Sequence, residues 1–167
     1  ETAISSKQSM KEALSEAGQH SGYVYLILGF FVCGFHITFV ATHLPAYITD
    51  QGLSAEVGAW SLAVIGLFNV FGAIFAGILA NKFQKKNLLS LIYLSRGLFM
   101  VLFILLPISQ TTVLIVSAGL GISWLSTVPL TSGIVAQVFG PRYMATLFGF
   151  VFVSHQLGSF MGVWLGG

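Results

Sequence analysis

Long apolar runs alternate with short polar interruptions along this chain. After a polar opening over residues 1–22, apolar stretches occupy about 23–47, 57–80, 88–108, 113–139 and 143–167. A helix rises about 1.5 Å per residue, so some 20 apolar residues cross a hydrocarbon core of about 30 Å. Each run meets that requirement. The interruptions carry turn chemistry: Asp50-Gln51-Gly52, Asn81 to Asn87, Ser109 to Thr112, and Gly140-Pro141-Arg142. The pattern predicts an all-α, polytopic bundle of five transmembrane helices, with a short helix over Met10 to Ala17. Pro45 and Pro107 fall near run ends. Pro129 lies inside the fourth run and predicts a kink there.

Composition strengthens this reading. Of the 167 residues, 56% are hydrophobic and 7% charged, against about 25% charged in soluble domains. There are too few charges to cover a water-facing surface, so the apolar side chains must meet lipid or one another. The seven basic residues form no stripe, which argues against a nucleic-acid partner. The single cysteine, Cys33, has no partner for an internal disulfide. No Cys/His cluster points to a metal, and nothing points to a cofactor. The chain opens on Glu1 and stops inside an apolar run, so a piece of a longer protein is expected.

Charge also sets the expected orientation. Lys7, Lys11, Lys82, Lys85, Lys86 and Arg142 fall on the side shared by the opening segment and the loops at 81–87 and 140–142. The opposite side carries Asp50 and Glu56 and no Lys or Arg. The positive-inside rule makes the basic side cytoplasmic, in a multi-pass protein of the cell membrane. Residues 1–22 then read as a cytoplasmic linker. Arg96 departs from this pattern, lying about 12 Å inside the third run at 1.5 Å per residue. A charge there costs about 2.5–3.5 kcal/mol. The many Leu, Ile, Phe and Val residues around it, at up to about 0.3–0.6 kcal/mol each, still favour insertion. The charge needs a local partner.

The stretch Gly77-Ile-Leu-Ala-Asn-Lys-Phe-Gln-Lys-Lys-Asn-Leu-Leu89 resembles the Gly-x-x-x-Asp-Arg-x-Gly-Arg-Arg signature of the major facilitator superfamily. Asn81 replaces Asp and Gln84 replaces Gly, as in the degenerate second copy of that signature. Gly34 to Asp50 resembles the seventh helix of bacterial relatives of monocarboxylate transporters, and Ser154 to Gly167 their eleventh. The resemblance covers about 23–167. It implies that the five runs are helices seven to eleven, five of the six in the C-terminal half, with the N-terminal half of the same protein as a partner. It further implies substrate binding between halves near the midplane, with alternating access.

Candidate functional residues follow. His36 and His43 share a face of the first run, and His titrates near neutral pH. His36 is therefore a candidate contact for substrate or a coupled proton. Arg96 is a candidate for a carboxylate substrate, for a carboxylate elsewhere in the protein, or for helix-end carbonyls. Asn69, with Gly66, Ala73, Ala76, Gly77 and Ala80, reads as a packing seam with one polar bond across it, or as a substrate contact. Trp124 and Thr127, with Thr131 and Ser132, surround Pro129 on the run that the resemblance places against the cavity. His155 and Gln156 precede Gly158, Gly162 and Gly166, whose four-residue spacing predicts a face buried against another helix, expected in the N-terminal half. Lys82, Lys85 and Lys86 read as setting topology and binding anionic headgroups, in a loop whose Gly77 and Asn81 align with the family signature. The resemblance adds a cytoplasmic latch to that loop.

Three functions are consistent with these residues. One is secondary transport of a small solute, an organic anion such as a monocarboxylate, by the complete protein. Another is a truncated chain with no transport of its own. The last is an intramembrane serine hydrolase using Ser132 and His155, although Ser132 lies in no Gly-x-Ser-x motif. No catalytic residue is otherwise expected.

Overall fold

A computed structural model describes residues 9–166. Lys7 and Gly167 lie outside them. The described elements are α1 (Met10–Gln19), α2 (Ser21–Asp50), α3 (Ala55–Leu79), α4 (Lys85–Leu105), α5 (Gln110–Ser123), α6 (Thr127–Phe139) and α7 (Met144–Gly166). No strand occurs among the described residues. Among the described residues, five segments are long and apolar enough to cross a membrane, α5 and α6 counting together as Gln110–Phe139.

Local chemistry explains the ends. A capping box opens α1: the Ser9 amide donates to Glu12 Oε2 at 2.8 Å, and the Glu12 amide donates to Ser9 Oγ at 3.3 Å. The Ser9 amide first, and the Ser9 hydroxyl second, hold the Glu12 carboxyl below its ordinary range. At the end of α2, the Leu53 amide reaches the Ile48 carbonyl at 3.2 Å and the Gly52 amide reaches Thr49 at 2.9 Å. Gly52 sits at φ 84°, completing a Schellman stop that a side chain would strain. Pro45 lies inside α2, which continues to Asp50. α4 ends at Leu105, just before Pro107, and Ser109 caps α5 by accepting from the Thr112 amide at 3.2 Å.

The predicted kink is a full interruption, and it lies upstream of Pro129. Trp124, Leu125 and Ser126 are non-helical between α5 and α6. Proline lacks the amide that would bond the carbonyl four residues back, and its ring clashes with that carbonyl. Here that carbonyl belongs to Leu125, so the disruption falls where the structure breaks.

The described residues divide into two compact units, one of 9–38 with 131–166, the other of 39–130. In the first, α2 and α7 cross with backbones touching. A Cβ at Gly34 would overlap the His155 carbonyl, and one at Gly158 or Gly162 would overlap the Phe31 or Phe35 carbonyl. Hydroxyls bridge the same crossing: Tyr23 to Leu147 O at 2.8 Å, Ser154 to Ile27 O at 2.9 Å, and Thr38 to Ser159 O at 2.9 Å. The face expected to meet a helix outside this chain therefore packs on α2, and Gly166 is exposed. Gly34 is the reason, because it supplies a complementary notch.

The second unit has a core of Val40, Leu44, Ile48, Val57, Ile65, Val113, Val116 and Leu120. Here α3 and α5 approach at Gly72, where a Cβ would overlap the Ile122 carbonyl. The seam on α3 runs through Ser61, Ile65, Gly72 and Ala76, which are buried. Gly66 and Gly77 face open space instead. On α4, only Leu89 and Arg96 are buried, and Leu91, Leu94, Leu98, Val101 and Leu105 are exposed. An exposed apolar stripe of that extent suits lipid, not water.

Candidate functional site

The interruption between α5 and α6 leaves backbone groups without intrahelical partners, and in a membrane each must find one. Arg96 supplies the donors. Because α4 begins at Lys85, Arg96 lies about 16 Å along that helix, near the middle of a ~30 Å core. It is 2% exposed, a depth at which only a well-bonded charge is tolerated. Its Nη2 donates to the carbonyls of Ser123 and of Trp124, the latter at 2.9 Å. These are the last residue and the cap of α5, so the cation also sits at the negative end of that helix dipole. The Tyr93 ring, one turn back, lies 5.7 Å from the guanidinium carbon, a cation–π distance. Charge-assisted hydrogen bonds contribute about 1.5–3 kcal/mol each. Two of them offset the ~2.5–3.5 kcal/mol cost of placing the charge there.

Asn69 treats the other polarity. Its Oδ1 accepts from the Leu125 amide at 3.0 Å, which is the one polar bond across the α3 seam that the sequence suggested. The remaining carbonyls are also accounted for. Gly121 O accepts from the Trp124 amide at 3.0 Å, Leu125 O from the Val128 amide at 3.0 Å, and Ile122 O from the Ser126 hydroxyl. Thus carbonyls 121 to 125 each have a named donor. Trp124 is half-buried against the core of this unit, and Thr127, the first residue of α6, is fully buried. Of the sequence candidates, Arg96, Asn69 and Trp124 come together here. Sequence reasoning missed the Ser123 carbonyl and the Leu125 amide as the groups they serve. The signal for them was Pro129, read four residues back.

The histidines belong to different surroundings. His155 on α7 is buried, stacked on Phe152 with centroids 5.5 Å apart and planes 5° from parallel. Phe30 lies 5.3 Å from it, and Ser159 Oγ lies 3.4 Å from its Nδ1. The hydroxyl meeting this imidazole is thus Ser159's, one turn along α7. Gln156, the next residue, is exposed. His36 is half-buried, with the Phe35 ring 6.1 Å away. His43 is half-buried beside Phe39 at 5.1 Å.

The basic loop lies at the ends of α3 and α4. Asn81 Nδ2 reaches back to Gly77 O at 3.5 Å, a weak closure of the last turn of α3. Lys82 and Lys86 are exposed and Lys85 is half-buried. Lys85 and Lys86 occupy the first turn of α4, where the helix dipole disfavours cations. No cluster that could hold a metal ion occurs among the described residues.

Five apolar spans, lipid-suited exposed faces and a buried, backbone-bonded arginine define a multi-pass helical membrane protein. The sequence matches the Major Facilitator Superfamily over residues 3–163, and the chain belongs to that family of membrane transporters. It is similar to an uncharacterized MFS-type transporter, YcxA, of Bacillus subtilis (strain 168), with 26% identity over 148 residues. That alignment covers 85% of this chain and 36% of the relative, so the chain spans about a third of the relative's length. Family membership points to a transporter and not to an enzyme.

Proposed function

We propose that this chain forms helices seven to eleven of a secondary transporter that moves a small solute by alternating access. Its lysine-bearing ends face the cytoplasm, and an N-terminal half completes the cavity. The observation that carries this reading is the interrupted span, with its backbone groups held by Arg96 and Asn69. Non-helical backbone at membrane depth is tolerated where it is buried in protein or lines a cavity, and discontinuous helices recur at transporter binding sites.

The substrate class is a small organic anion such as a monocarboxylate, which rests on the resemblance of Gly34–Asp50 and Ser154–Gly167. Arg96 lends this class little support. Its guanidinium would have to surrender the Ser123 and Trp124 carbonyls to hold a carboxylate. His36 and His155 are the proposed contacts for substrate or a coupled proton. The test is uptake of labelled monocarboxylates into proteoliposomes by the complete transporter containing this chain. Saturable uptake, weakened by His36→Ala, is expected. Uptake of a neutral or cationic solute, with none of any monocarboxylate, would overturn the substrate class.

A further inference from the structure

We infer that Arg96 is a built-in cation filling a carbonyl site at the end of α5, and that with Asn69 it acts as a positioning pair for the interrupted span. The carbonyls of Ser123 and Trp124 converge on one guanidinium nitrogen. Both belong to a helix C-terminus, whose partial negative charge favours a cation. A free monovalent cation or a chain of waters would otherwise have to satisfy them at this depth. The covalently attached guanidinium does so without a binding step. Asn69, from the facing helix α3, takes the Leu125 amide, so the exposed ends of the break are held by opposite polarities from two helices. Tyr93 steadies the cation from its own helix.

The inference depends on the break and not on the substrate proposed above. Its test therefore uses a readout that needs no substrate: amide hydrogen exchange of the complete transporter in detergent, followed over residues 121–128. Arg96→Met keeps the side-chain length and removes the charge and donors. It is expected to accelerate exchange over this segment about 100-fold, the loss of two charge-assisted bonds. Asn69→Leu is expected to accelerate the Leu125 amide about 10-fold, the loss of one neutral bond. Arg96→Lys, which retains a charge and three donors, is expected to stay within about 3-fold of the parent.

Arg96→Ala leaves the site vacant. Guanidinium at millimolar concentration should restore protection to that variant, and tetramethylammonium, which cannot donate, should not. Unchanged exchange in both Arg96→Met and Asn69→Leu would overturn the inference. So would acceleration spread evenly over α3, α4 and α5. If Arg96→Met does not fold, Arg96→Lys and Asn69→Leu still decide the matter. A parent-like lysine variant with a locally loosened leucine variant supports the pair. A lysine variant as loose as the leucine variant rejects it.

Discussion

The crossing of α2 with α7 and the contact of α3 and α4 with α5 solve the same problem differently. Both bury polar backbone where water is scarce. At the first, both helices are continuous, their own ladders satisfy the backbone, and Gly34, Gly158 and Gly162 let them touch. Hydroxyls of Tyr23, Thr38 and Ser154 add bonds to carbonyls that already have partners. At the second, the helix is broken, and a charged and an amide side chain replace the missing ladder. The first region depends on shape, and the second depends on shape where α3 meets α5 and on charge at the break. Packing failures should therefore dominate in the first, and loss of hydrogen bonds at the break itself.

Six substitutions and one change of pH sharpen this contrast. The largest effect is expected from Gly158→Ala, because the added Cβ overlaps backbone on α2 that has no rotamer to yield. Destabilisation of about 3 kcal/mol is expected, read as a fall in thermal midpoint in detergent. Gly72→Ala, against the Ile122 carbonyl, should cost a similar amount, since shape also governs where α3 meets α5. An unchanged midpoint for either variant would show that the close approach is not required.

Thr38→Val and Ser154→Ala should each cost about 0.6–1 kcal/mol, the scale of hydrogen bonds between membrane helices. A loss as large as that of Gly158→Ala would make hydroxyls, not shape, the main tie. Smaller still, Gly66→Ala should be neutral or stabilise by up to about 1 kcal/mol, because nothing lies near its Cβ position.

The last effect lies outside the spans. The folded-state pKa of Glu12 is lowered, so its contribution to α1 is fully present above the unfolded value. That contribution is lost as pH falls through the lower folded value. Protection factors of the amides over Met10–Gln19, corrected for the intrinsic pH dependence of exchange, should fall on acidification below about 4.5, the ordinary carboxyl value. Ser9→Ala should weaken that dependence without removing it, because the backbone amide bond, the larger cause, remains.

The spans were legible in the sequence because hydropathy over some 20 residues is a strong, local signal. The short helix at Met10 was legible for the same kind of reason, since its cap chemistry is contained within a few residues. What the sequence withheld was azimuth, the choice of which neighbour each face meets. The four-residue spacing of Gly158 and Gly162 marked a buried face correctly, but its partner is α2 because Gly34 happens to face it. On α3, small residues flank Asn69 on one face, yet Gly72 makes the close contact and Gly66 makes none. Periodicity alone cannot tell a glycine under a helix from a glycine under lipid. Arg96 had three possible partners in sequence. Choosing among them required knowing that α4 lies against the end of α5, which no local pattern encodes.

The pairing of Arg96 with Ser123 and Trp124 also has a consequence for assembly. The acceptors lie 27 and 28 residues further along the chain. At a synthesis rate of about 5–20 residues per second, α4 waits roughly 1–6 seconds before they emerge. During that interval its charge has no intramolecular acceptor from α5, so α4 is expected to linger beside the insertion machinery until α5 arrives. The two helices would then enter the bilayer as a pair.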